Sequence, residues 1–360
     1  MESGSVVFNL ENTVSRVLNS CSSGSVFLAA VSGGADSMAL LSALSVLISH
    51  NRLFCLHVEH GLRKPDESAG DAFFVKEFCE KKDIPCRIET IERGKITAFA
   101  QRRKTGIEAA ARYFRRKSLV KEAKRISCNK DNVFILTAHT KNDALETILM
   151  RILRGAGSAG IALMPEKRGR FLRPLLSVSR TEIISYLNKK NIKWREDSTN
   201  NDIRFIRNKV RRKLVPLLEE FFPFWEKGVL NTGETQGYTA DLIHEEAVNR
   251  IKWEDTGKSS ISTDALNFKK QPLIIREEAV FLGFDRLFKG VKFLRTVKRF
   301  AVRKFCVNTE DTSDLGYARI MRKGEKIIIF RVKKEFFECG VSRLIKKLPL
   351  DNLNCIEKEI

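Results

Sequence analysis

The sequence predicts an α/β fold with a doubly wound, mostly parallel sheet, a helical subdomain and a smaller α+β C-terminal domain. Four short β-rich runs lie in the first 140 residues, at 25–31, 53–58, 86–91 and 133–138. Three segments with helical spacing separate them, at 37–48, 67–81 and 107–124. This alternation of buried strand and amphipathic helix is typical of a doubly wound sheet, which binds ligands at the carboxyl ends of its strands.

The alternation of predicted strands and helices ends near Pro165. A helix is predicted over 179–191 and a strongly basic stretch ends near 216, so we assign 165–220 as a helical extension of a first domain over 1–220. Glycine, threonine and glutamate are frequent at 227–264, which predicts an irregular linker over 221–271. A second domain is predicted over 272–347, with a hairpin turned at Lys323 and Gly324, and a tail over 348–360.

The charge of the chain favours an anionic partner. Lysine and arginine outnumber aspartate and glutamate by 65 to 44, a net charge of +21. Residues 101–130 hold eleven basic side chains against two acidic ones, and 203–213 hold six against none. A solvated helix face is the alternative reading of each segment, but basic residues on several sides of a helix favour a phosphate backbone.

The cysteine spacing and the N-terminal residues argue against several classes of site and segment. The eight cysteines form no C-x-x-C pair, so neither a zinc ribbon nor a dithiol redox site has its usual spacing, and we expect reduced packing residues. Residues 1–19 lack the basic flank and apolar run of a signal peptide, and no apolar stretch is long enough to span a bilayer. We therefore expect a cytoplasmic protein with no membrane partner.

A glycine loop follows the first predicted strand, in the order Ser32, Gly33, Gly34, Ala35, Asp36, Ser37. Strand, glycine loop and helix start form an anion site, because backbone N–H groups face inward beside the positive end of the helix. Asp36 beside a phosphate indicates an intervening Mg²⁺. The loop lacks the lysine of the common P-loop, and it resembles the pyrophosphate loop of the N-type ATP pyrophosphatases, which have the adenine nucleotide alpha hydrolase-like fold.

Three further segments narrow the resemblance: 58–63 (VEHGLR), 139–147 (HTKNDALET), and 194–200 (WREDSTN) followed by Arg207, Asn208 and Arg211. Together with the loop they resemble the tRNA(Ile)-lysidine synthetase family over about residues 25–218, and more weakly over 272–332. The chain departs from the family pattern at Glu59, Thr140 and Asn142. Asn142 lacks a charge, which puts any metal or amine contact from that position in doubt.

The resemblance implies a ligase that uses ATP, with Mg²⁺, to adenylate the C2 carbonyl oxygen of the wobble cytidine in a CAU-anticodon isoleucine tRNA. Free L-lysine then displaces AMP. Asp143, Glu146 and Arg112 map onto the lysine pocket, and we expect His139 to share the helix face of these acids as a further catalytic group. His60 and Arg63 map onto the ATP side. Arg204, Arg207 and Arg211 are candidate tRNA contacts.

Other interpretations stay open at this point. A tRNA thiolase of the same fold would use paired cysteines, which the spacing does not provide. A small-molecule amidating synthetase would not need the basic segments, and a non-catalytic RNA-binding module would not need the intact loop. The sequence leaves the oligomeric state open, with a homodimer among the options.

Overall fold

The computed structural model describes residues 3–62, 65–126, 132–196, 206–257, 259–288, 297, 299–308 and 312–332. The chain divides into two compact units, Met1–Gln236 and Gly237–Ile360, and each has a hydrophobic core. Within the described ranges, no helix has the length and apolar character needed to cross a membrane.

A six-stranded sheet forms the centre of the first unit. Its strands are β1 (Val26–Ala30), β2 (Leu53–Glu59), β3 (Cys86–Thr90), β4 (Val133–Thr137), β5 (Lys167–Arg168) and β6 (Phe171–Leu172). They lie in the order β3-β2-β1-β4-β6-β5, and every neighbouring pair is parallel except β5 with β6. The predicted doubly wound, mostly parallel sheet is therefore confirmed.

Eight α-helices accompany this sheet in the part of the chain described up to residue 196. They are α1 (Ser3–Leu18), α2 (Ala35–Leu47), α3 (Pro65–Glu80), α4 (Lys95–Arg102), α5 (Ile107–Ile126), α6 (Lys141–Ile152), α7 (Ser158–Ile161) and α8 (Arg180–Lys189). Helix α2 is almost continuously buried from Ala35 to Leu44. Each of its buried leucines contributes roughly 1.5–3 kcal/mol by leaving water, so the helix that follows the glycine loop is firmly anchored.

The register of the sheet decides which loops meet. Ala30 at the end of β1 pairs with Thr137 at the end of β4, and β1 also pairs with β2 in parallel. Because carboxyl ends of parallel strands lie at one edge, the glycine loop after β1 lies beside the segment that begins at His139.

The basic segment forms a short composite helix made of α9 (Ile206–Lys209), a π-helical turn (Val210–Leu214) and α10 (Val215–Phe221). The Val215 N–H donates to the Val210 carbonyl, five residues back. Pro216 has no N–H with which to continue the ordinary ladder, which accounts for the wider turn at this point.

The prediction of an irregular linker over 221–271 is wrong. This region contains α11 (Trp225–Arg250), β7 (Glu254–Gly257), β8 (Ser260–Asp264) and α12 (Ala265–Lys270). The glycines of α11 lower its intrinsic helix propensity, but packing overrides this preference. A Cβ at Gly233 would lie 2.8 Å from the Ile148 side chain and 3.1 Å from that of Leu163, so this glycine permits close approach.

The second unit has a five-stranded antiparallel sheet in the order β7-β8-β11-β10-β9. The remaining elements are α13 (Leu273–Leu287), α14 (Arg299–Val307), β9 (Ser313–Asp314), β10 (Ala318–Lys323) and β11 (Lys326–Arg331). The predicted hairpin is present as β10 and β11, with Gly324 at a positive φ of 60° in its turn. The predicted tail over 348–360 lies outside the described residues.

Candidate active site

The glycine loop is held in shape by its own serines. The Ser37 hydroxyl donates to the Gly34 carbonyl at 2.8 Å and accepts from the Ser32 N–H at 3.2 Å. Gly33 has a φ of +89°, a conformation that a residue with a Cβ rarely adopts. Helix α2 begins at Ala35, so the N–H groups of its first turn are available to an anion, as the sequence predicted for a pyrophosphate site.

Asp36 lies in the first turn of α2 and forms an ion pair with Arg180, the first residue of α8. Burial raises the pKa of the Asp36 carboxyl, the Arg180 guanidinium opposes this effect, and the Asp143 carboxylate adds to it. Mg²⁺ commonly takes one or two protein carboxylates together with substrate phosphates, and the Asp36 carboxylate beside the glycine loop fits this role.

Two arginines that the sequence did not single out position this region. The Arg180 N–H donates to the Asn142 side-chain carbonyl at 2.9 Å, which gives the uncharged residue at 142 a structural role. The Arg195 N–H donates to the Gly33 carbonyl at 2.9 Å, and its guanidinium pairs with Asp71 at 3.0 Å. Arg195 lies inside the 194–200 motif, so the motif was a signal for it, whereas nothing in the sequence marked Arg180.

His139 follows β4 and is held by Thr137. The Thr137 hydroxyl donates to the Leu172 carbonyl at 3.3 Å, and its oxygen lies 2.9 Å from His139 Nδ1. This arrangement favours the tautomer with the proton on Nδ1, which leaves Nε2 as a proton acceptor. The pKa of His139 is lowered to about 4, chiefly by burial; the Asp143 carboxylate opposes this effect, and the cations of Arg112, Arg115 and Arg173 add to it.

The acids predicted for the lysine pocket lie on α6. Asp143 belongs to a capping box, in which its carboxylate accepts from the Thr140 N–H at 2.9 Å and its own N–H donates to the Thr140 hydroxyl. Glu146 lies one turn further along, and its side chain is only 3% exposed. A buried carboxylate needs strong hydrogen-bond donors, and its donors come from the basic segment.

Arg207 and Arg211 bind these two acids. Arg207 Nε donates to Glu146 at 2.7 Å and its Nη2 donates to Asp143 at 2.6 Å, while Arg211 Nε donates to Glu146 at 2.6 Å. The family resemblance predicts that the acids bind lysine, and the charge of the basic segment predicts that the arginines contact tRNA. The structure joins both sets in one network, which we call the acid–arginine cluster: Asp143, Glu146, Arg207 and Arg211.

Of the remaining predicted residues, the structure describes Arg112 and His60. Arg112 is exposed on α5, and its charge acts on His139. The neighbouring Arg115 was not predicted. Burial lowers its pKa, and its charge interacts with Arg207 and Asp143, which places it beside the cluster. His60 is partly buried just after β2. Arg63 and Arg204 lie outside the described residues, as do Asp197 and Asn200.

Comparison with known proteins shows which family this chain resembles. The PP-loop domain model matches residues 7–218, more than half of the chain. The tRNA(Ile)-lysidine synthase of Treponema denticola is 37% identical over 316 residues, covering 86% of this chain and 66% of the relative. The tRNA(Ile)-lysidine synthase of Thermosipho africanus is 36% identical over 225 residues, covering 61% of this chain and 51% of the relative. The chain therefore spans less than two thirds of the length of these relatives.

A solved structure supports the fold. The U34-tRNA thiolase of Methanococcus maripaludis, with its [4Fe-4S] cluster, matches 67% of this chain and 81% of its own with a TM-score of 0.51. Its sequence identity is 16%, so the likeness bears on the fold alone.

Proposed function

This chain belongs to the PP-loop domain family, and from that premise we propose that it catalyses tRNA lysidine formation. ATP adenylates the C2 carbonyl oxygen of the wobble cytidine in a CAU-anticodon isoleucine tRNA, releasing pyrophosphate. An amine of free L-lysine then bonds to C2, the C2–O bond to AMP breaks, and one proton leaves the nitrogen. The observation that carries the proposal is the meeting of a pyrophosphate loop and two carboxylates at neighbouring strand ends.

The glycine loop performs the first step in this proposal. The open N–H groups at the start of α2 and the hydroxyls of Ser32 and Ser37 would hold the phosphates of ATP. The family resemblance assigns His60 and Arg63 to the ATP side as well. Asp36 would hold Mg²⁺, which neutralises phosphate charge when bound. An anion bound in the loop would also attract the Arg180 guanidinium, which pairs with the Asp36 carboxylate in the structure.

Asp143 and Glu146 would bind the cationic lysine, with Arg112 at the edge of the pocket. The Glu146 carboxylate already accepts three hydrogen bonds from Arg207 and Arg211, and Asp143 is shared between Thr140 and Arg207. Lysine therefore competes with these arginines for the same oxygens. We infer that a phosphate of the tRNA backbone draws Arg207 or Arg211 outward, which frees carboxylate oxygens for lysine.

His139 would accept a proton during the lysine step. Its Nε2 carries the free lone pair, and its lowered pKa keeps the ring neutral at physiological pH. The adenylate supplies a good leaving group, so no enzyme nucleophile is required. Cytoplasmic location and tRNA contact through Arg204, Arg207, Arg211 and the C-terminal unit belong to the same proposal.

The direct test incubates the full chain with ATP, Mg²⁺, labelled lysine and total tRNA. We expect label in one isoleucine tRNA, with AMP and pyrophosphate released in equal amounts. Sulfur transfer without lysine incorporation would indicate a thiolase instead. Tight tRNA binding with no ATP cleavage, even with lysine present, would indicate a non-catalytic RNA-binding protein and refute the proposal.

A second measurement tests the competition at the acid–arginine cluster. Lysine binding is followed by equilibrium dialysis with and without tRNA, in the presence of a non-hydrolysable ATP analogue. We expect tRNA to increase lysine affinity, and Arg211→Ala to make lysine affinity less dependent on tRNA. Equal lysine affinity in both conditions for the unmodified chain would show that the arginines do not obstruct the pocket.

A further inference from the structure

Three cysteines that are distant in sequence meet at one point of the first unit. Cys55 lies on β2, Cys86 is the first residue of β3, and the two are directly paired across the parallel strands. Cys79 lies near the end of α3. Their three Sγ atoms all lie within 4.8 Å of one another, and all three cysteines are free thiols. We call this group the thiol cluster.

The thiol cluster is partly accessible and lies away from the candidate active site. Cys55 and Cys79 are fully buried, whereas Cys86 is partly exposed. Cys86 begins β3, so it lies at the amino end of the strand, opposite the edge that carries the glycine loop. The proposed lysidine chemistry therefore makes no use of these thiols.

The chemistry of the cluster differs from that of three separately packed cysteines. The S–H groups of Cys55 and Cys79 hydrogen-bond to the Cys86 sulfur and lower the pKa of Cys86, and the nearby His57 and Lys76 charges act in the same direction. The pKa of Cys55 is raised by the same sharing of protons together with burial. The three sulfur atoms thus share one small space, and the thiolate form of cysteine is the one that binds metal ions.

The geometry also suits an ion. A metal with sulfur ligands at about 2.3 Å holds three sulfurs about 4 Å apart. Since no pair in the cluster exceeds 4.8 Å, closure around an ion needs side-chain movements of less than about 1 Å. Soft thiolate sulfur selects zinc or copper(I) over the hard cations that carboxylates bind.

We propose that Cys55, Cys79 and Cys86 form a binding site for one thiophilic d¹⁰ metal ion, zinc(II) or copper(I). The ion connects the end of α3 to β2 and β3, and water at the Cys86 side completes the coordination of zinc. Backbone hydrogen bonds already connect these elements. The Ile84 N–H donates to the Cys79 carbonyl, and the Cys55 N–H donates to the Pro85 carbonyl, each at 2.9 Å. Metal binding releases protons, because cysteine thiols must lose them to become ligands.

The test uses the full, reduced, metal-free chain. Cobalt(II) is titrated first, because sulfur-to-cobalt charge-transfer absorption reports thiolate ligation, and zinc(II) is then used to displace it. Copper(I) is added anaerobically against a coloured copper(I) chelator in a separate arm. We expect one ion per chain in at least one arm, and protection of amide hydrogens over 79–86 when that ion is added.

Matched variants decide whether the thiol cluster is the site. Cys86→Ser should weaken binding by at least the roughly 10- to 100-fold seen when an outer-shell partner of a metal is removed. Cys21→Ser is the control, because Cys21 is also partly buried against the same core but lies outside the cluster. A chain in which the five other cysteines are replaced by serine or alanine should keep the ion.

Two outcomes overturn the proposal. One is the absence of any ion bound at one equivalent in both metal arms by the unmodified chain. The other is equal affinity in Cys86→Ser and Cys21→Ser, which would assign the metal to other thiols. Because Cys86 is partly exposed, its serine variant should fold, and amide exchange of β2 checks this independently.

Discussion

Glu146→Gln tests the energetics of the acid–arginine cluster. The substitution keeps the shape of the side chain but removes the charge that Arg207 and Arg211 share at 2.7 and 2.6 Å. Removing one partner of a buried ion pair costs about 3–5 kcal/mol. Arg207 and Arg211 are 25% and 44% exposed, and Asp143 still pairs with Arg207, so water and the remaining acid lower this cost. We expect a loss of roughly 2–3 kcal/mol in the free energy of unfolding.

The assay is thermal and urea unfolding at neutral pH, combined with hydrogen exchange of peptides from α6. For a unit of this size the expected loss lowers the melting temperature by roughly 4–12 °C. Hydrogen exchange identifies the first unit, because the two units can unfold in separate steps. A double-mutant cycle of Glu146→Gln with Arg207→Gln should give a coupling energy above about 1 kcal/mol.

Glu77→Gln is the matched control. Glu77 pairs with Lys81 at 2.7 Å, a distance similar to those in the cluster, but both side chains are well exposed on or beside α3. Surface pairs contribute about 0–1 kcal/mol, so this variant should unfold almost like the unmodified chain. If Glu146→Gln costs no more than Glu77→Gln, burial does not strengthen the cluster and our reasoning is refuted.

Three predictions concern the proposed reaction. Asp36→Asn should abolish tRNA-dependent pyrophosphate exchange with ATP while tRNA affinity changes less than about twofold, because the lost charge serves the proposed metal site and the Arg180 ion pair, not the proposed tRNA contacts. Asp143→Asn should retain adenylation but raise the KM for lysine, since the amide keeps a cap acceptor and loses the charge that attracts ammonium. His139→Gln should remove an acid-sensitive contribution to stability. The unfolded imidazole binds a proton below about pH 6.5, whereas the folded imidazole binds one only near pH 4. As the pH falls through that window, the free energy of unfolding of the unmodified chain should therefore fall by roughly 3 kcal/mol at most.

Each of these outcomes has a contrary result. An unchanged exchange rate in Asp36→Asn would remove the metal assignment. Equal loss of adenylation and lysine use in Asp143→Asn would count against the lysine pocket, and Glu182→Gln, at the same capping-box position of α8, controls for the helix cap. A stability difference between His139→Gln and the unmodified chain that does not vary between pH 4 and 7 would show that the ring is not held neutral by burial.

Local features of the chain were predictable from the sequence because they depend on neighbouring residues. Strand runs and helical spacing predicted the parallel sheet, and the loop from Ser32 to Ser37 predicted an anion site at a strand end. The predicted irregular linker over 221–271 is wrong, because glycine can also lie inside a helix that packs closely against its neighbours. Gly233 lies in α11, where its missing side chain leaves room for Ile148 and Leu163, each far from it in sequence.

The sequence by itself determined which groups are present and predicted their chemistry: a glycine loop suited to phosphate, two acids one helical turn apart, and basic segments suited to a polyanion. Only the tertiary structure decided which of these groups contact one another. Arg207 and Arg211 reach Asp143 and Glu146 across more than 60 residues, and Cys55, Cys79 and Cys86 converge from two strands and a helix. Neither grouping has a sequence spacing of its own, because strand register and helix packing bring the side chains together.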